Sequence, residues 1–303
     1  MQLFPKKLSQ IYLVLFVSAF LTITGNFTFF QKTLLVYPLS ENWLFLGSLF
    51  FFLFTFLAAL LLLFCYRVTT KPILIALLMI SAIVSYSTNN YGIVFDHNMI
   101  LNTFETDTSE FLDLVSFKSI LYFFIFGLLP SIFVLKVKLI KISFKAQLWE
   151  RIKTFLVLVI IFVIIVLTFS KHYSSFAREN RDLRLYITPT YYLYSATKFV
   201  DSKFATSTKP FKEIGLDAKL NKKSDTRRLV ILVVGETARA DHMSLNGYDR
   251  NTNPYLEKEE IISFDKMTSC GTDTALSVPC MFSLLDRSSY NHAKGKNMSN
   301  VLD

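Results

Sequence analysis

The eleven residues from Cys270 to Cys280, CGTDTALSVPC, place the hydroxyls of Thr272, Thr274 and Ser277 between two cysteines, downstream of a lone Gly235, Glu236, Thr237 step. A carboxylate at the end of a strand and a constrained threonine are what zinc-assisted phosphoryl transfer needs. A threonine hydroxyl is a poor nucleophile near neutral pH. Coordination to Zn2+ stabilises its alkoxide, and the same ion offsets charge on the phosphoryl oxygens. The residues alone leave open which of the three hydroxyls matters, and Glu236 by itself reads as a solvated loop residue or a helix cap.

The elements that must position these groups follow from the hydropathy pattern. Leu229 to Val234, LVILVV, is a continuous apolar run bounded by Arg227, Arg228 and Gly235. Such a run predicts a strand buried on both faces of a parallel sheet. Function in open α/β sheets gathers at the carboxyl ends of strands, where Glu236 would sit.

The chain before residue 171 is of another kind. A hydrophobic share of 52% and a mean hydropathy of +0.41 are too apolar for a water-soluble protein of this length. Five segments are long enough to cross a hydrocarbon core, at roughly 10–30, 43–65, 72–90, 119–137 and 152–170, since a crossing takes about 20 residues. The first is expected to be an anchor and not a cleaved signal, because no small-residue cleavage site follows it. Trp43 and Trp149 stand at span ends, where amphipathic rings anchor at the interface.

Loop charges set the orientation. Lys6 and Lys7, then Arg67 and Lys71, then Lys136, Lys138, Lys141, Lys145, Arg151 and Lys153 mark one side, whereas the alternate loops carry Lys32 alone or Lys118 among five acids. The Lys and Arg bias predicts a cytoplasmic N-terminus and places everything after residue 170 on the opposite side. The formal charge of +9 is then a topology signal, and a nucleic-acid partner is a poor reading of bases scattered over loops.

In that compartment a disulfide between Cys270 and Cys280 is permitted. Zinc binding by the two cysteines is the competing reading, weakened by the absence of a CxxC pair or a suitably spaced histidine. Cys65, near the end of the second span, reads as a small packing residue. From 171 to 227 the chain interleaves Tyr186, Tyr191, Tyr192, Tyr194 and Phe199 with Arg181, Arg184, Lys198 and Lys203. It reads either as a solvated connector or as a segment lying in the headgroup zone.

The motifs VVGETARADH at 233–242, LNGY at 245–248, NPYL at 253–256 and SCGTDTALSVPCMFS at 269–283 together resemble the inner-membrane phosphoethanolamine transferases that modify lipid A, a family that includes the colistin-resistance enzymes. The resemblance implies a five-helix transmembrane domain followed by an α/β domain of the alkaline-phosphatase and sulfatase type, of which this chain would hold the N-terminal part. It implies Thr274 as nucleophile, and not Thr272 or Ser277, with Glu236 and Thr274 as two ligands of a Zn2+ cofactor. The family completes its metal site with a later Asp-His pair, and the chain stops at Asp303 before it, so the sequence is expected to be C-terminally incomplete. Arg239 and Asp241 would orient the metal loop or form a structural ion pair, and His242 is expected to be packed or on the surface. His97, His172 and His292 have no metal-binding spacing.

Asn102, Thr106 and Glu110 recur at intervals of four and would share one face of a helix. A solvated polar stripe is the plain reading. The resemblance makes them lining residues of the donor-lipid site, with Glu110 facing the ethanolamine amine.

The expected organisation is a transmembrane domain at 1–170, a linker with a possible interfacial helix at 171–227, and a partial catalytic domain at 228–303. The expected activity is transfer of phosphoethanolamine from phosphatidylethanolamine to lipid A through a covalent phosphothreonine-type intermediate, with polymyxin resistance as its consequence. The expected partners are the donor, the acceptor and membrane lipids, and the protein is expected to be a monomer in the bacterial inner membrane. A core sugar or glucan acceptor is the neighbouring alternative. A truncated, catalytically inactive membrane protein is the alternative of a different class.

Overall fold

The computed structural model describes residues 7–105, 115–204, 210–219, 229–235, 238–264, 266–272, 274–295 and 297–302. It divides into two compact units, Met1–Ser202 and Lys203–Asp303.

The first unit is helical. Among the described residues four single helices are long and apolar enough to span a membrane: α3 (Leu39–Phe64), α4 (Thr70–Tyr91), α6 (Phe117–Lys136) and α7 (Phe144–Thr168). A bent pair, α1 (Gln10–Gly25) and α2 (Phe27–Val36), whose axes differ by 57°, is long and apolar enough when taken together, as a broken span or a re-entrant loop. Four of the expected spans thus have a single-helix counterpart, and the first expected segment is broken at Asn26. Local chemistry accounts for several ends. Gly92 ends α4 in the left-handed region at φ 68°, a conformation that costs glycine little. Ser116 and Ser119 form a reciprocal capping box at the start of α6, and Ser143 caps α7 through the Ala146 N–H.

Within the unit α3 packs between α1 and α7, and α4 packs against α1 and α6. The core is drawn from Leu13, Val14 and Val17 of α1, Leu57 and Leu61 of α3, and Leu74 and Leu78 of α4. Gly127 lies in a π-helical turn of α6, Phe124–Leu128. A Cβ there would stand 3.1 Å from the Cβ of Ala82, so the missing side chain lets α6 approach α4 closely.

The segment after α7 folds back onto this bundle as part of the same unit. Helix α8 (Ser170–Glu179) and the 3-10 turn Arg181–Tyr186 cover a second core of Phe29, Phe45, Leu49, Leu53 and Leu183. Helix α9 (Thr190–Phe204) buries Tyr192, whose hydroxyl meets Ser81 Oγ of α4 at 3.1 Å. An α5 helix (His97–Glu105) follows α4 in the chain.

The second unit differs from expectation in one respect. Leu229 to Val233 are between 65% and 87% exposed, and the described residues contain no strand, only isolated bridges Leu8–Leu139 and Lys212–Met298. A strand of this apolar kind is satisfied by neighbouring strands and covering helices, and none lies against it among the described residues. The described part of the unit is built from short 3-10 turns and two helices, α10 (Thr274–Met281) and α11 (His292–Gly295). Lys212 pairs with the 297–299 segment through Lys212 N to Asn297 O at 2.8 Å and Ser299 N to Lys212 O at 3.0 Å.

Candidate active site

The cysteine-bracketed segment is in good part a helix. Thr274 is the first residue of α10, Thr272 precedes it, and Ser277 lies a turn further in and is half-buried. Cys270 and Cys280 are joined in a disulfide with Cα atoms 6.3 Å apart. The bridge ties the approach to the helix to the helix's own last turn, and Cys280 is buried. Pro279 stands inside α10, where it offers no N–H to the ladder and favours a short helix. Before the helix, Ser269 Oγ donates to Gly271 O at 2.6 Å and accepts from Gly271 N at 3.3 Å. Thr274 itself is solvent-exposed, and the first four N–H groups of a helix lack intrahelical acceptors. A hydroxyl is thus set where those donors are.

Glu236 lies outside the described residues, as do Thr106 and Glu110. The chain immediately after Glu236 is folded on itself. Arg239 donates to Asp241 from Nε at 3.0 Å and from its guanidinium at 2.6 Å, and His242 Nδ1 meets Asp241 Oδ1 at 3.0 Å. The Arg239 guanidinium first, then His242, holds the Asp241 carboxyl well below the usual carboxylate range. Asn246 Nδ2 donates to Ala240 O at 2.9 Å, and Thr252 Oγ1 donates to His242 O at 2.8 Å. Gly247 turns the chain at φ 91°. His242 is half-exposed beside the Tyr248 ring, 4.8 Å away. Arg239 and Asp241, left open between two roles by the sequence, are therefore an ion pair inside a polar turn.

In the first unit Asn102 lies on α5. Asp96 Oδ1 accepts from Met99 N at 2.8 Å and caps that helix. The ring of Phe104 stacks on Phe199 of α9 at 5.2 Å with the planes 4° apart, and His97 lies 6.2 Å from the same ring. One structural residue escaped the sequence reading: Asn26, at the break of the first span. Its signal was a buried-side amide in an otherwise apolar stretch, which in a membrane segment marks a group that must find partners.

No group of three His, Cys, Asp or Glu side chains converges among the described residues. The described donors by themselves do not make a zinc site.

A bundle of helices long and apolar enough to span a membrane, ahead of a smaller water-exposed unit, defines a polytopic membrane protein. Residues 228–303 match the sulfatase family, and residues 53–204 match the family described as phosphoethanolamine transferase EptA/EptB. The chain belongs to that phosphoethanolamine transferase family. It is 40% identical over 306 residues to the phosphatidylethanolamine transferase Mcr-1 of Escherichia coli, covering 99% of this chain and 57% of that protein. Against phosphoethanolamine transferase EptA of Salmonella typhimurium it is 30% identical over 303 residues, covering 98% of this chain and 55% of the relative. The structure of the integral membrane protein lipooligosaccharide phosphoethanolamine transferase A (EptA) from Neisseria meningitidis superposes with a TM-score of 0.88 at 30% identity, over 99% of this chain and 56% of that one. The chain spans about half the length of the curated relatives it matches.

Proposed function

We propose that the protein transfers phosphoethanolamine from phosphatidylethanolamine to lipid A at the periplasmic face of the bacterial inner membrane, with Thr274 as nucleophile. The observation that carries this reading is the position of Thr274, the first residue of α10, on a segment tied by the Cys270–Cys280 bridge. The partial positive charge of a helix N-terminus favours an anionic phosphoryl group there. The names of the relatives support the donor, a phosphatidylethanolamine transferase, and the acceptor class, a lipooligosaccharide.

In the first half-reaction Thr274 Oγ1 attacks the donor phosphorus. The new O–P bond forms as the P–O bond to diacylglycerol breaks, and the threonine proton ends on the diacylglycerol oxygen. In the second half a lipid A phosphate hydroxyl oxygen attacks the same phosphorus, the bond from phosphorus to Thr274 Oγ1 breaks, and the proton given up by that hydroxyl ends on Thr274 Oγ1. The order is ping-pong. Glu236 and Thr274 would hold Zn2+ with oxygen donors suited to a hard phosphate site, and bound zinc would supply Lewis-acid stabilisation of the phosphoryl oxygens. Asn102, Thr106 and Glu110 would line the donor-lipid site, Glu110 favouring the ethanolamine amine and Asn102 and Thr106 supplying hydrogen bonds. The Lys and Arg bias of the loops supports a cytoplasmic N-terminus.

Capping lipid A phosphates with an amine lowers surface negative charge and weakens binding of polymyxins. Mass spectrometry of lipid A from cells expressing the gene through its stop codon tests the reading. An added phosphoethanolamine mass is expected. Lipid A of unchanged mass sinks it, and the same added mass on a core sugar or glucan would redirect the acceptor.

A further inference from the structure

Helix α7 begins at Phe144, ahead of the apolar segment expected from residue 152, and its first turns have two unlike faces. On one, Gln147 is buried and donates through Nε2 to Gln10 Oε1 of α1, and Arg151 donates to the Leu62 carbonyl of α3. On the other, Phe144, Leu148, Trp149 and Ile152 are exposed. Large apolar and aromatic side chains on an open face suit the boundary between headgroups and acyl chains.

Cations converge on the same turns. Arg67, between α3 and α4, donates to the Ile142 carbonyl at 2.9 Å, which brings its guanidinium to the stretch that carries Lys141 and Lys145. The Tyr66 ring lies 5.9 Å from that of Phe144 and 5.2 Å from the Arg151 guanidinium carbon. Lys153 Nζ stands 5.3 Å from the Trp149 ring and 3.4 Å from Glu150 Oε1. Arg67, Lys141, Lys145 and Lys153 are exposed. Among the described residues Lys141 and Lys145 enter no ion pair. Glu150 is the acid of the patch and Lys153 engages it, so a zwitterionic headgroup finds no open carboxylate there for its cationic end.

We propose that this patch, at the end of the bundle where α7 begins, is a binding site for an anionic phospholipid of the phosphatidylglycerol kind. Lys141, Lys145 and the remaining guanidinium N–H groups of Arg67 hold its phosphate, to which a guanidinium offers paired donors. Phe144, Leu148 and Trp149 meet its glycerol and upper acyl chains. Basic pockets beside membrane helices recognise anionic headgroups in this way. The site is separate from the transfer chemistry and from the donor reading above. In the orientation proposed there it faces the cytoplasmic leaflet.

The test is native mass spectrometry of the 303-residue chain in detergent, titrated with phosphatidylglycerol or with phosphatidylcholine, which keeps the phosphate but is zwitterionic. The wild-type protein is expected to retain phosphatidylglycerol about twenty-fold more strongly. Lys141→Gln or Lys145→Gln is expected to weaken phosphatidylglycerol by about five-fold, and the double variant to bring it down to the phosphatidylcholine level. The double Lys→Arg variant at the same positions is expected to keep the preference. Lys171→Gln, which removes an exposed lysine of α8, is expected to change nothing. Equal retention of the two lipids by the wild-type protein would overturn the proposal. So would a preference that survives in the double Gln variant, or an equal loss from Lys171→Gln.

Discussion

Asn26 holds Thr188 by both ends of its amide: Nδ2 donates to the Thr188 carbonyl at 2.8 Å and Oδ1 accepts the Thr188 N–H at 2.9 Å. The same Nδ2 lies 3.2 Å from Leu21 O and 3.3 Å from Thr22 O. A break in a membrane helix frees backbone groups that lipid cannot satisfy. Here one buried side chain takes up carbonyls of α1 and fastens the return segment to the break. Ser85 Oγ adds a bond to Gly25 O at 3.3 Å.

Replacing Asn26 by Ala is therefore expected to destabilise the first unit by about 2–4 kcal/mol, because buried backbone groups of Thr188 lose their partners. Thermal unfolding in detergent measures it. A loss below about 0.5 kcal/mol would mean that water or lipid headgroups replace the clamp.

Gly127→Val should also destabilise, by about 1–3 kcal/mol, through overpacking of α6 on α4. The Ala82 Cβ already lies 3.1 Å from where a Cβ at Gly127 would be. Unfolding of Gly127→Val at wild-type temperature would show that the π-helical turn relaxes to admit the side chain.

Removing the Cys270–Cys280 bridge by paired Cys→Ser substitution is expected to cost about 2–3 kcal/mol in the second unit, by the chain-entropy account of an eleven-residue loop. Denaturant unfolding followed by a probe on α10 reads it. Thiol counting on the wild-type protein, unfolded without reductant because Cys65 is buried, should find that cysteine alone.

Asp241 sets a pH dependence for the turn after Glu236. Its folded pKa is depressed below the ordinary 3.8 by Arg239 and then His242. A depressed carboxylate contributes stability above its unfolded value and loses it as the pH falls through the folded one. The NMR signal of the Asp241 side-chain carboxyl carbon should keep its ionised position as the pH falls through the ordinary 3.8 and move only below it. Titration of Asp241 at its ordinary value would show that the ion pair does not persist in solution.

Thr274→Ala should abolish phosphoethanolamine transfer in the full-length gene product, whereas Thr272→Ala should leave substantial activity. Trapping the covalent intermediate and locating the added mass by peptide sequencing gives the direct assignment. Equal loss in the two variants, or mass on another hydroxyl, would remove Thr274 as nucleophile.

Much of the first unit was legible residue by residue. A hydrocarbon crossing imposes a length and an apolar composition on one continuous segment, so α3, α4, α6 and α7 coincide with expected spans to within a few residues at most ends, apart from the earlier start of α7. The break at Asn26 was not legible, because its stabilising partner lies 162 residues away. The stretch after residue 170 carried basic and aromatic residues that left a connector and an interfacial segment equally open. In the structure Leu183 and Tyr192 of that stretch are buried against the bundle.

In the second unit the order of motifs identified the family and singled out the Thr274 segment, because short chemical motifs are local. The sequence by itself determined which segments are long and apolar enough to span, the cysteine bracket and the residues that could do chemistry. Only the tertiary structure decided that Thr274 begins a helix, that Arg239 closes on Asp241, and that Phe104 seats the Asn102 helix on Phe199. Those are contacts between specific partners, and hydropathy, which is read along the chain one segment at a time, carries no term for them.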